Sequence, residues 1–163
     1  TGTLVLQIRR SFPSVETVGL DPDPKALARA RRKAERQGAA VRFDEGFADE
    51  LPYPDASFDR VFSSMMFHHV EGDDRETMLR EVRRVLQPGG SFHLMDFVGP
   101  EASDGFFARL LHSHTRLKDN SETRILEGMR RAGFDDSARV GSGRLVLGRL
   151  AYYRAGRETN VLS

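Results

Sequence analysis

Residues 18–24 read Val-Gly-Leu-Asp-Pro-Asp-Pro, an apolar run that ends on an acid and passes through two prolines into a stretch of helical period. No other segment limits the fold so tightly. The run from Thr17 to Leu20 predicts a short strand. Asp23 stands where an N-cap belongs and Pro24 at the first helical position, where its fixed φ and missing N–H cost nothing. Leu27, Ala30 and Ala34 then share one face of a helix running to about Gln37. Arg29, Arg31, Arg32 and Arg36 fill the solvated face, and Gly38 ends the helix. A strand that feeds directly into a helix, repeated along a chain, calls for a mostly parallel sheet covered on both faces.

The alternation continues. Val41 to Asp44 and Phe58 to Ser64 predict strands, separated by a polar loop over 46–57. Asp74 to Leu86 predicts a helix, because Met78, Leu79, Val82, Val85 and Leu86 recur at three- and four-residue spacing, with Asp73 or Asp74 as cap and Pro88-Gly89-Gly90 as the break. Ser91 to Phe97 predicts a strand, 99–118 an insertion with a helix around Phe106 to His114, and Ser121 to Ala132 a capped helix ended by Gly133. Leu4, Leu6 and Ile8 suit a helix capped by Thr3, although their alternation also suits a strand. Ser137 to Arg154 predicts two strands joined by a tight hairpin at Gly141-Ser142-Gly143, which adds an antiparallel strand at one edge. The expected organisation is one domain over 1–154 and a frayed tail over 155–163.

Composition narrows the function. At 163 residues, 39% hydrophobic and 30% charged, the chain has enough material for one core. Lys plus Arg, at 25, nearly cancels Asp plus Glu, at 24. No basic field therefore points to nucleic acid or to an anionic membrane, and small molecules are the expected partners. The absence of cysteine excludes disulfides, thiolate nucleophiles and Cys-based metal sites. No apolar run reaches the ~20 residues that span a bilayer. The expected location is cytoplasmic.

Five blocks in order carry a resemblance: Thr1-Gly2-Thr3-Leu4, Val18-Gly19-Leu20-Asp21, Leu51-Pro52-Tyr53-Pro54-Asp55-Ala56-Ser57-Phe58-Asp59, His68-His69-Val70, and Glu81-Val82-Arg83-Arg84-Val85-Leu86-Gln87-Pro88-Gly89-Gly90. Their order and spacing resemble the class I S-adenosylmethionine-dependent methyltransferases, in particular the small-molecule enzymes similar to those of quinone biosynthesis. The resemblance implies a three-layer Rossmann-like sheet, S-adenosyl-L-methionine as cofactor, and transfer of its methyl group to an O, N or C atom of a small-molecule acceptor. The alternative reading is a noncatalytic methyltransferase-like module for dimerisation or partner binding.

The resemblance also implies a site. In such folds the cofactor lies over the C-terminal ends of the first strands. Gly2 belongs to the glycine loop. Asp21, with Pro22 behind it, would accept from both ribose hydroxyls, since a carboxylate offers two oxygens at the spacing of a vicinal diol; a solvated turn is the other reading. The loop Gly46-Phe47-Ala48-Asp49-Glu50 would meet the adenine. Relatives often place an acid directly after that glycine, where this chain has Phe47. Either Asp49 takes that role, with Ala48 addressing a ring nitrogen through its backbone and Phe47 on the base face, or Phe47 is core and Asp49 solvated. Ser63, Ser64 and Met65 would line the methionine arm and transfer site.

His68 and His69 are the catalytic candidates. With an ordinary pKa near 6.5, a histidine can accept a proton from the acceptor; a structural or cofactor-orienting role stands beside that reading. Neighbouring side chains diverge, so the pair does not converge on a metal. Asp96 ends a strand, and substrate contact and turn capping are both open to it. His112 and His114, with Phe106, Phe107, Leu110 and Leu111, offer either a lid or core.

The resemblance further implies a strand and more glycines ahead of Thr1. A central strand contributes on the order of 10 kcal/mol of apolar burial, comparable with whole-domain stabilities of about 5–15 kcal/mol. A longer polypeptide, a homodimer or strand-swapped partner, or a degenerate relative would each account for this.

Overall fold

The computed structural model describes residues 2–70, 72–98, 120–145 and 148–159. The expected helix around Phe106 to His114, with His112, His114, Phe106, Phe107, Leu110 and Leu111, lies outside them. The chain divides into two compact units, Thr1–Pro52 and Tyr53–Ser163. Among the described residues no helix is long and apolar enough to cross a membrane.

The first unit runs helix α1 (Thr3–Ser11), strand β1 (Val18–Asp21), helix α2 (Pro24–Arg36) and strand β2 (Arg42–Glu45). The strands pair in parallel, with Val18 opposite Arg42 and Asp21 opposite Glu45. Leu6, Leu27, Ala30, Ala34 and Phe43 form the core, with Val5, Ala39 and Val41 packed against it. The apolar face predicted for α2 is therefore the buried one. Gly19 is required in β1, because a Cβ there would stand 2.9 Å from Cδ1 of Phe43. Asp23 caps α2 as expected, accepting from the Lys25 N–H at 2.8 Å. The cap predicted for α1 is corrected. Gly2, at φ 70, holds the N-cap position, and the Thr3 hydroxyl instead lies 2.9 Å from Lys33 Nζ, which donates to it.

The second unit contains strand β3 (Phe58–Ser64), a 3₁₀ turn (Phe67–His69), helix α3 (Asp73–Val85), strand β4 (Leu86–Phe97), helix α4 (Glu122–Arg131) and strands β5 (Asp136–Leu145) and β6 (Gly148–Gly156). Its sheet has the order β3-β4-β6-β5. β3 and β4 are parallel, and β6 runs antiparallel to both neighbours. Phe92 and Leu94 of β4, and Ala151, Tyr153 and Ala155 of β6, are buried with Met78, Leu79, Val82 and Val85 of α3 and Ile125 and Met129 of α4. Each large apolar side chain so buried contributes about 1.5–3 kcal/mol.

Four expectations in this unit are corrected. Gly72, not Asp73 or Asp74, holds the N-cap position of α3. The two aspartates lie in the first turn, where carboxylates favour the positive end of the helix dipole. The helix ends at Val85, before Pro88-Gly89-Gly90, which instead falls in the irregular start of β4. The Gly141-Ser142-Gly143 stretch is not the hairpin turn. It pairs within β5 against Tyr152, Ala151 and Leu150, and the Tyr152 ring packs over the two glycines, 3.5 Å from where a Gly141 Cβ would stand and 3.7 Å from a Gly143 Cβ. The antiparallel strand β6 is therefore internal rather than at the edge.

Residues 155–157, expected to be frayed, are hydrogen-bonded to the rest of the unit. Ala155 and Gly156 are paired in β6, and Arg157 exchanges backbone hydrogen bonds with Gly89 and Gly90 at 2.9 and 3.0 Å. Its guanidinium donates to the carbonyls of Arg83, Arg84 and Leu86 at 3.0, 3.2 and 2.5 Å, satisfying groups that the end of α3 leaves open.

Candidate functional site

In the first unit the parallel pairing brings the C-terminal ends of β1 and β2 side by side, and these ends carry the predicted cofactor residues. Asp21 is half-buried at the last position of β1. Its Oδ1 accepts from the Asp23 N–H at 2.9 Å, so the carboxylate braces the turn with one oxygen. Oδ2 is the oxygen left to accept from a ligand. Pro22 lies exposed between the two acids. After β2, Phe47 and Glu50 form an isolated antiparallel bridge. Phe47 is 65% exposed, which removes the core reading of that ring. Ala48 is half-buried and Asp49 exposed. Gly2 leaves no room for a side chain, since a Cβ there would meet the Ala30 Cβ at 2.8 Å.

In the second unit β3 and β4 are likewise parallel, with Ser64 opposite Met95 at their C-terminal ends. Ser63 Oγ is buried without a hydrogen-bond partner. Met65 follows at φ 53, its N–H donating to the Met95 carbonyl at 2.8 Å. A left-handed conformation costs an L side chain roughly 1–2 kcal/mol. That strained residue turns the chain from the strand into the 3₁₀ turn that carries both histidines.

His68 and His69 are in contact, with ring centroids 4.0 Å apart. Their environments differ. His69 is exposed. The His68 side chain is 14% exposed, and its Nδ1 lies 2.5 Å from Oδ1 of Asp96, while its backbone N–H donates to Oδ2 of the same carboxylate at 3.1 Å. Asp96 has no exposed surface and also accepts from the Phe97 N–H at 2.7 Å. A buried carboxylate is tolerable only when it is partnered, and here three donor groups converge on it. With Nδ1–H directed to Asp96, the Nε2 lone pair is the basic atom left over.

The pairing of His68 with Asp96 was not legible from spacing. The available signal was an acid inside the apolar run Phe92 to Phe97, which demands a buried partner without naming it. Asn120 is a second residue without a sequence signal: it has no exposed surface, and its Nδ2 donates to the Phe97 carbonyl. Among the described residues no cluster of three or more His, Asp or Glu side chains is placed to hold a metal.

Each unit is of α/β type, with parallel strands whose C-terminal ends carry its candidate residues. A family model described as "Methyltransferase domain" matches residues 1–90, and the chain belongs to that family. It is similar to the demethylmenaquinone methyltransferase of Thermus thermophilus, with 44% identity over 100 residues, 61% of this chain and 44% of the relative. It is also similar to the demethylmenaquinone methyltransferase of Deinococcus radiodurans, with 40% identity over 117 residues, 70% of this chain and 47% of the relative. The chain thus spans less than half the length of either relative. Among solved structures, PigF with SAH shares the fold at a TM-score of 0.74 and 22% identity, over 96% of this chain and 48% of that one.

Proposed function

We propose that the protein containing this chain transfers the methyl group of S-adenosylmethionine to a small-molecule acceptor, both compact units serving one methyltransferase domain over 1–154. The observation that carries this reading is Asp21, a strand-end carboxylate with one oxygen fixed by its own turn and the other left to accept. The residues fit an adenosyl cofactor. Asp21 is a ribose-diol acceptor, the exposed Phe47 ring offers a face to a base, Asp49 is exposed and placed to take an exocyclic amine, and Gly2 lets the start of α1 pack directly against Ala30 of α2.

When bound, S-adenosylmethionine supplies an electrophilic methyl on a cationic sulfur. Ser64 and Met65 line the transfer site, and Met65 holds the strand-to-turn geometry that presents His68. His68 takes the acceptor's O–H or N–H proton at Nε2, and Asp96 holds its Nδ1–H and stabilises the imidazolium that results. His69, exposed beside it, contacts the acceptor. The barrier is lowered chiefly by alignment and exclusion of water. The names of the two relatives favour a quinone-type acceptor, whose reduced ring hydroxyl would give His68 a proton to accept. A cytoplasmic location accords with the absence of cysteine.

The test is titration calorimetry of the full-length protein with S-adenosylmethionine, followed by transfer of labelled methyl to a reduced demethylquinone. Binding that Asp21→Ala removes supports the reading. A folded full-length protein that takes up no S-adenosylmethionine overturns it in favour of a noncatalytic partner-binding module.

A further inference from the structure

Phe97 is the joint of the His68 site. Its N–H donates to Asp96 Oδ1 at 2.7 Å, its ring meets the His68 ring at 78° with centroids 5.5 Å apart, and its carbonyl accepts from Asn120 Nδ2. Asn120 has no exposed surface, and among the described residues its Oδ1 has no hydrogen-bond partner. An orphaned buried amide oxygen is costly, and a leucine of nearly the same shape would avoid that cost. Packing therefore does not account for an asparagine at this position. Its bond to the Phe97 carbonyl does: that carbonyl and the Phe97 N–H that donates to Asp96 lie in adjacent peptide units joined at one Cα, so the donor fixes the main chain at Phe97.

We infer that Asn120 is a positioning residue for proton transfer, locking the main chain on the carbonyl side of Phe97 so that the Phe97 N–H is held against Asp96, and Asp96 is oriented to hold the Nδ1–H of His68 and leave Nε2 basic. The inference rests on the reading of His68 as the group that meets the acceptor's proton. The lock acts at one remove, through the main chain of Phe97. Among the described residues the titratable groups around His68 are Asp96 on β4 and His69 on the same turn, while Arg75 of α3 donates to the Val70 carbonyl at 2.5 Å. The imidazole proton therefore answers chiefly to Asp96, and the orientation of Asp96 to Phe97.

Nitrogen-15 NMR of histidine-labelled full-length protein reads this directly, because it distinguishes the two imidazole tautomers. The wild type holds the Nδ1–H tautomer. In Asn120→Leu the tautomers mix. The kcat for methyl transfer falls roughly 10- to 100-fold, while KM for the acceptor stays near its wild-type value. A purely structural role would lower the melting temperature without altering the tautomer. An unchanged tautomer in folded Asn120→Leu overturns the inference. If that variant does not fold, Asn120→Ala, which also lacks the donor and adds no bulk, gives the same reading. Failure of S-adenosylmethionine to bind the wild type would remove the methyltransferase reading, whereas the tautomer result decides the role of Asn120 on its own.

Discussion

Oδ1 of the buried Asp96 lies 2.5 Å from Nδ1 of His68, and its other oxygen accepts from the backbone N–H of the same residue. One carboxylate thus fixes both where the imidazole sits and how it is rotated. Asp96→Asn keeps the shape but presents an amide that cannot neutralise an imidazolium. The expected outcome is loss of methyl transfer by at least a hundredfold, with S-adenosylmethionine affinity within about twofold of wild type. Steady-state kinetics set beside calorimetry check this split.

Asp21→Ala is expected to weaken S-adenosylmethionine binding by roughly 10- to 100-fold, the effect of losing hydrogen bonds to a charged group worth about 1.5–3 kcal/mol. The same change removes the brace to the Asp23 N–H. Asp21→Asn retains that brace through its amide oxygen, so comparing the two by calorimetry and thermal melting separates ligand contact from turn stability.

Met65 at φ 53 invites a paired test. Met65→Gly relieves the left-handed strain while increasing the entropy of the unfolded chain, so stability changes by less than about 1 kcal/mol. Met65→Val sets a β-branched side chain in the same conformation and destabilises by about 1–2 kcal/mol. Urea unfolding of both variants measures the difference.

Much of the fold was legible because its strongest elements carry their own boundaries. Asp23 and Pro24 marked the start of α2, and the apolar spacing of Met78, Leu79, Val82 and Val85 marked the buried face of α3. Errors arose where tertiary partners outweighed local chemistry. Gly141 and Gly143 look like turn residues, yet they lie in a strand, paired with Tyr152 and Leu150 of β6 and in contact with the Tyr152 ring. Arg157 looks like part of a polar tail, yet it closes the end of α3 from a distance of more than 70 residues. The candidate residues divide in the same way. The place of Asp21 at a strand end was readable from the apolar run before it, while the grip of Asp96 on His68 spans 28 residues and leaves no local pattern.

His93 supplies a pH prediction. Burial, followed by the positive charges of Arg154 and Arg60, lowers its pKa from the ordinary 6.5. The unfolded chain therefore binds a proton at a higher pH than the folded one does. Stability is full above about pH 6.5 and falls as pH drops from there through the lowered folded value. His93→Gln, which keeps a group beside Ser91 Oγ, is expected to flatten the dependence. Chemical denaturation between pH 7.5 and 5 reads the slope.

Arg157→Met retains the aliphatic stem and removes Nη1, one nitrogen whose two hydrogens are shared among the carbonyls of Arg83, Arg84 and Leu86. At about 0.5–1.5 kcal/mol for each net hydrogen bond, the expected loss is on the order of 1–3 kcal/mol. Hydrogen exchange should show the last turn of α3 opening first, and uniform opening across the helix would contradict this.

The strand order β3-β4-β6-β5 has a consequence for biosynthesis. Because β6 follows both β4 and β5 in the chain and lies between them, the ribosome releases β4 long before the neighbour that covers its edge. Until Gly148–Gly156 emerges, β4 presents unpaired backbone groups on a nascent chain, the condition under which sheets recruit the wrong partner. Shielding that edge falls to whatever meets the chain as it leaves the exit tunnel, and the unit sets its final register only when its closing segment arrives.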